Sequence, residues 1–317
     1  MLRSRIFTAV IAVSVVVVTA ALGGCGQFSP PYMKPLSPQT RALLAEKGMT
    51  EDQPVLMRIF KAESELELWK QKDDGHYYHF KTYPICAYSG KIGPKQKQGD
   101  RQAPEGFYLV HEGLMNPRSK YHLAFDMGYP NKYDRAYGRT GANLMVHGDC
   151  TSAGCYAMTD AVVEEIYILA REALASGQAS FQVQAYPFRM TASNLALHKK
   201  DEWYDFWKNL KEGYDYFEKT RLPPSVAVCE KRYLINASFI DGARPRATAT
   251  CPKYKKLPVV AFKPSKQKKT MSHASLAKPL GSVMGLSFGT ITPVYRAMTL
   301  GPATPSIKPS AKKKKKK

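Results

Sequence analysis

The chain runs to 317 residues with a formal charge of +21, from 47 Lys and Arg against 26 Asp and Glu. Sixteen of the basic residues lie between positions 252 and 317, and no acidic residue follows Asp241, which leaves +5 for everything before. A uniformly basic body is thereby excluded, and the basicity belongs mainly to the tail.

Arg3 and Arg5 open the chain, an apolar or small stretch covers 6–21, and Leu22-Gly23-Gly24-Cys25 follows. A basic start, a short apolar run and small residues ahead of a cut site make a secretory signal. About 16 such residues are few for a helix that must cross roughly 30 Å of hydrocarbon. Leu-Gly-Gly-Cys resembles a bacterial lipobox. On that reading residues 1–25 are a lipoprotein signal and Cys25 carries the lipid. The mature protein is then held at the periplasmic side of the cell envelope, by default on the outer membrane, since Gly26 and not Asp follows the cysteine. The competing reading is an ordinary signal or uncleaved anchor with a chance cysteine. Some 290 residues remain, enough for one sizeable core plus tails or two small domains. Residues 26–50, with prolines at 30, 31, 35 and 38, read as a linker or tether.

Strands are predicted over 55–60, 65–69, 77–80 and 84–88, a long polar loop over 89–105, and strands again over 107–111 and 121–125. A polar loop over 131–140 and a short strand over 143–146 lead into His147. After Cys155, apolar residues at 162, 166, 169, 170, 173 and 174 have helical spacing and predict a helix over 161–176, with Gly177 as its stop. Residues 181–186 read as a strand. Trp203, Phe206, Trp207, Leu210, Tyr214 and Phe217 define an amphipathic helix over 201–217, its aromatic stripe read as core before ligand site. The fold class is α+β, a strand-dominated core with later helices packed against it.

Six cysteines need partners or roles. Cys229 and Cys251 flank an apparent strand-turn-strand and are candidates for a disulfide in an oxidising compartment. Cys86, Cys150 and Cys155 are left, with at least one expected as a free thiol, and an unpaired exported cysteine is a candidate reactive group. The segment 144–160, LMVHGDCTSAGCYAMTD, carries the chemistry. A strand delivers His147, and Cys155 follows eight residues later. A free thiol is mostly protonated at neutral pH, and a nearby imidazole can take that proton and leave a nucleophilic thiolate. Gly148 and Gly154 permit tight backbone geometry, and N–H groups around Cys155 are candidate oxyanion donors. Two other readings compete: a zinc site from His147, Cys150 and Cys155, for which no fourth ligand is evident nearby, and a disulfide or redox pair of Cys150 with Cys155.

His147-Gly148 followed by Ser152-Ala153-Gly154-Cys155 resembles the L,D-transpeptidase catalytic domain, the YkuD family. The spacer is shorter than in most members, and Ala157 stands where a basic residue is usual. Both departures look like the YafK-like murein L,D-transpeptidase subgroup, as do 125–139, 186–190, 202–207 and 213–217. The resemblance covers about 51–252 and leaves 253–317 as a basic low-complexity tail. It implies a thioester between Cys155 and the diamino acid of a peptidoglycan stem peptide, with His147 as base and no metal or other cofactor. The acyl group passes to an amine, a transpeptidation, or to water, the hydrolytic release of a wall-linked lipoprotein. Ser152 is expected to orient His147 through its backbone. Arg139 is a candidate to bind a stem carboxylate in place of the residue missing at 157, and His122 and Tyr156 are candidates to line the substrate cleft. For His122 and Arg139 the alternatives are a structural histidine and a surface arginine. The lysine run that begins at Lys312 and ends at Lys317 suits anionic envelope polymers, not nucleic acid, or is a solvated tail without a partner. A non-catalytic peptidoglycan-binding lipoprotein with the same fold is the alternative function, and a metal-binding envelope protein a third.

Overall fold

The computed structural model describes residues 29–264. The first sheet comprises β1 (Val55–Phe60), β2 (Glu65–Gln71), β3 (Tyr77–Pro84), β5 (Gly106–Val110) and β10 (Phe181–Tyr186), in the order β3-β2-β1-β10-β5. The central strands β1 and β10 run parallel and the other pairs are antiparallel. Every residue of β1 is buried. A strand covered on both faces reads as a continuous apolar run, as VLMRIF nearly does.

The two faces of β1 feed different cores. Val55, Met57 and Ile59 join a cluster with Val163, Ile166, Leu169 and Ala170 of helix α3 (Asp160–Ala175). That cluster also takes Phe125, Val146 and Tyr156 from the second sheet. Phe60 turns the other way, with Tyr186, onto Trp207, Leu210 and Tyr214 of helix α5 (Tyr204–Thr220). The first sheet is therefore a middle layer, with α5 on one side and α3 plus the second sheet on the other, an α+β arrangement. The aromatic stripe of α5 is core.

Three expectations are corrected. Residues 30–50 are no free linker. Ser37 caps helix α1 (Pro38–Glu46) through the Thr40 N–H, and Leu36, Leu44 and Met49 are buried in the main core. Lys34 pairs with Glu164 of α3 at 2.9 Å. The stretch 131–140 is not all loop, because a capping box between Asn131 and Asp134 starts helix α2 (Lys132–Ala136). A short helix α4 (Ala192–Leu197), capped by Thr191, was not foreseen. The folded body also continues past 252. Hairpin β11 (Val226–Cys229) and β12 (Arg232–Ile235) is followed by the pair β13 (Ala237–Phe239) and β14 (Tyr254–Lys256). A disulfide joins Cys229 to Cys251, and the Phe262 ring packs on His76 and Tyr78. The leader with Cys25 and the terminal lysines lie outside the described residues.

The loop expected over 89–105 is polar but anchored from beneath. Lys61, fully buried, donates from Nζ to Gly93 O (2.8 Å), Ala103 O (2.9 Å) and Glu105 Oε1 (3.0 Å). Glu105 in turn accepts from the Gly93 N–H (2.7 Å) and from Trp207 Nε1 of α5 (2.9 Å). A buried pair is tolerated where further hydrogen bonds satisfy both ions, and removing one partner leaves the other charge unpaired. Lys61→Met should thus lower unfolding free energy by about 3–5 kcal/mol. Urea denaturation reads this directly, and a loss below about 1 kcal/mol would count against the network as the loop's anchor.

Candidate active site

The second sheet is small and its strands are short: β4 (Ala87–Tyr88), β6 (Met115–Asn116), β7 (Ala124–Asp126), β8 (Met145–His147) and β9 (Tyr156–Ala157), in the order β4-β9-β8-β7-β6. Side chains directly across a pairing share a face. Phe125, Val146 and Tyr156 stand in register and are wholly buried in the core. The opposite face carries Ala124, His147 and Ala157 in one row, and Asp126 beside Met145 in the next. The β8–β9 pairing is parallel, with Val146 opposite Tyr156, so Cys155 falls beside Met145 and one row from His147. The Met145 N–H donates to Cys155 Sγ at 3.4 Å, which fixes that placement.

The imidazole is held from two sides. His147 Nδ1 lies 2.6 Å from Gly148 O, so the neutral ring donates there and leaves the Nε2 lone pair as the basic site. Tyr121, a residue the sequence did not single out, lies against the ring at 4.8 Å between centroids. Gly148 is required by close approach, since a Cβ would stand 2.5 Å from Asp160 Oδ1 and 3.0 Å from Tyr121 O. Backbone strain gathers around this site: His122, Asn143, Asp149 and Cys150 all have positive φ.

Cys155 is half-buried and its thiol is free, while Cys86 and Cys150 form a disulfide. Cys150 is thus neither a thiolate ligand for zinc nor a partner for Cys155, which overturns both competing readings as drawn. Among the described residues no group of three or more His, Cys, Asp or Glu is arranged to hold a metal. Burial pushes the thiol above its ordinary value, the Met145 N–H works against this, and Asp126 adds to the rise. Burial pulls His147 below its ordinary value. Both shifts favour the neutral forms, a thiol and a free base.

Several expected roles change. Ser152 does not orient His147; that carbonyl belongs to Gly148. Ser152 Oγ donates to Cys155 O (2.7 Å) and accepts from the Gly154 N–H (3.2 Å), so it folds the nucleophile's own loop. Gly154, at φ +137°, supplies the turn, and its N–H is engaged by that hydroxyl and not held open for an oxyanion. Ser89 Oγ donates to Ser152 O at 2.7 Å and ties this loop to the anchored 89–105 segment. Tyr156 is no cleft residue: it is buried, with its hydroxyl on Pro104 O (2.7 Å). Arg139 is buried and paired with Asp134 at 2.8 Å, between Tyr133, Tyr137 and Phe206, so its charge is already matched. His122 sits 2.7 Å from Glu164 Oε1, in a structural network with Lys34.

A free thiol just ahead of β9 and an imidazole on its parallel neighbour β8 are the two groups that a thiol nucleophile and its base require. The L,D-transpeptidase catalytic domain (YkuD) family matches residues 56–175, a stretch that takes in both. The chain belongs to this family, whose members act on peptidoglycan. It is 50% identical over 183 residues to YafK of Escherichia coli (strain K12), a protein provisionally named an L,D-transpeptidase, over 58% of this chain and 74% of that one. Among solved structures it is similar to the helical cell shape determining protein Pgp2 of Campylobacter jejuni, with 18% identity and a TM-score of 0.34 over 60% of this chain and 80% of that one. Bd1075 of Bdellovibrio bacteriovorus gives 18% identity and a TM-score of 0.31, over 54% and 61%.

Because the thiolate is the alkylated species, a raised thiol shifts alkylation to higher pH. Iodoacetamide labelling of Cys155 should keep accelerating through the range where an ordinary thiol is already half ionised. Intact-mass spectrometry across pH reads this, and a plateau reached by pH ~7 would instead indicate a preformed thiolate.

Proposed function

We propose that this chain is a murein L,D-transpeptidase-type acyl transferase or hydrolase with Cys155 as nucleophile. One observation carries the reading: among the described cysteines Cys155 alone has a free thiol, and it lies one row from a histidine whose Nδ1 is committed to Gly148 O. His147 Nε2 takes the thiol proton as sulfur attacks the carbonyl at the L-centre of the stem-peptide diamino acid. The tetrahedral adduct collapses, the bond to the neighbouring residue breaks, and the leaving amine takes the proton from His147. A thioester remains. An amine or a water then attacks it, passing a proton back through His147 and restoring the thiol. Fixing Nδ1 matters because a ring that turned over would present N–H where a lone pair is needed.

Similarity to YafK favours the hydrolytic outcome, release of a wall-linked lipoprotein, as the subgroup reading implies. The Leu22-Gly23-Gly24-Cys25 motif supports lipidation at Cys25 and an envelope address. The packing of residues 31–50 sharpens that proposal. Five residues separate Cys25 from Pro31, no more than about 20 Å of extended chain, so a lipidated protein would work close to its membrane. The lysine tail would add attraction to anionic envelope polymers.

Purified wall sacculi should yield altered stem-peptide products with wild type, and unaltered ones with Cys155→Ala or His147→Gln, as read by chromatography and mass spectrometry. Equal product profiles from wild type and Cys155→Ala would remove the enzymatic reading. For the anchor, a palmitate analogue should label wild type and not Cys25→Ala; label that survives the substitution would end the lipobox assignment.

A further inference from the structure

The face of the second sheet that carries the nucleophile has one row still unexplained. Asp126, Met145 and Cys155 lie side by side across β7, β8 and the start of β9. All three are half-buried, whereas Ala124, His147 and Ala157 in the next row are buried, as is the opposite face. The row is therefore the part of this face that remains reachable. Asp126 is its acid. One carboxylate oxygen accepts from the Gly128 N–H at 2.7 Å, and the other has no hydrogen bond among the described residues. No Lys, Arg or His among them lies within salt-bridge distance. Its neighbours in the fold are mostly satisfied: Asp134 holds Arg139, Asp100 holds Lys95, and Glu105 holds Lys61. The free oxygen is not among the buried atoms that lack a partner, so a ligand cation can reach it and pair with it. Burial already pushes this carboxyl above the usual carboxylate range, a shift that an arriving ammonium would oppose.

We propose that Asp126 binds the free ammonium at the far end of the acyl donor's diamino-acid side chain, with Met145 as the apolar floor beneath its methylenes. The assignment rests on the acyl-transfer reading above and adds the specificity group. The dimensions agree. Two strand spacings put the Cα atoms of Asp126 and Cys155 about 10 Å apart. From the attacked carbonyl carbon to the far amine of an extended diamino acid is about 7 Å, and an ammonium–carboxylate contact adds about 3 Å. A donor whose far amine is acylated, as in a crosslinked stem, would lose this contact and leave the carboxylate unmatched.

The test uses two stem tetrapeptides, one with the side-chain amine free and one with it acetylated. Wild type should prefer the free-amine donor by about 10- to 100-fold in kcat/KM. Asp126→Asn should lower the free-amine rate, mostly through KM, without lowering the acetylated rate, so that the preference between the two donors is lost. Equal loss on both donors, or no loss on either, would overturn the proposal. Iodoacetamide labelling of Asp126→Asn separates a mere electrostatic effect on the thiol, which would change both donors together. Direct binding to Cys155→Ala, with and without Asp126→Asn, keeps the inference testable apart from turnover. The free-amine peptide should bind about 10-fold more weakly to the double variant. If Cys155→Ala still turns over either donor, the acyl-transfer reading fails; if binding is indifferent to Asp126, only this assignment does.

Discussion

The parallel pairing of β8 with β9 is the constraint on which the site depends. Parallel neighbours ordinarily need a crossover of a dozen or more residues, because the chain must return to the start of the first strand. Here residues 148–155 make that return. Two features permit it: the strands are only three and two residues long, and the loop is held at several points. Met158 N–H donates to His147 O (2.7 Å) and Cys150 N–H to Met158 O (3.2 Å). The Cys86–Cys150 disulfide ties the loop's middle to the chain just ahead of β4, and Ser152 closes its end onto Cys155 O. The positive φ at Asp149 and Cys150 is the conformational cost of turning so sharply, borne by residues whose side chains are not the reacting ones. A longer loop would relax that strain and also loosen the alignment of sulfur with imidazole.

Electrostatics follow from the same placement. Tyr121 lies over His147 and Cys155 is half-buried, so both groups lose water and both charged forms are disfavoured. On the proposed mechanism, a thiol kept neutral and an imidazole kept basic would exchange a proton as a carbonyl arrives, when the developing charge has somewhere to go. Asp126 raises the thiol further while it is unmatched, and a cationic donor would remove that repulsion as it binds.

Much of this architecture was legible in the chain, and the failures have physical causes. The strands at 55–60 and 181–186 were read with their observed bounds, the second from its alternation of Phe181, Val183 and Ala185 with Gln182 and Gln184. The helix at 160–175 and the aromatic helix at 204–220 announced themselves through 3.6-residue spacing, each within three residues of its observed ends. Helix α1 was missed because it buries little of its own surface: Thr40 and Leu44 are buried, Leu43 only partly so, and the nearby prolines resemble a tether. The role of Arg139 was misjudged because its partner Asp134 lies only five residues earlier, across a helical turn that the polar composition concealed. Gly148 and Cys155 were found from type and spacing, but Asp126 is conspicuous only once register sets it beside Met145.

The cysteine count acquires its meaning last. Five of the six cysteines lie in the described body, and two disulfides consume four of them. Cys150 is five residues from the nucleophile and on the same loop, so it would be the natural partner for unwanted oxidation of Cys155. Bonded to Cys86 it cannot serve that way without exchange, and exchange needs a thiolate, the form that burial disfavours at Cys155. One bridge thus fixes the loop that aims the nucleophile and also takes away the nearest competing sulfur. The same shift toward the neutral thiol therefore also slows attack on the bridge.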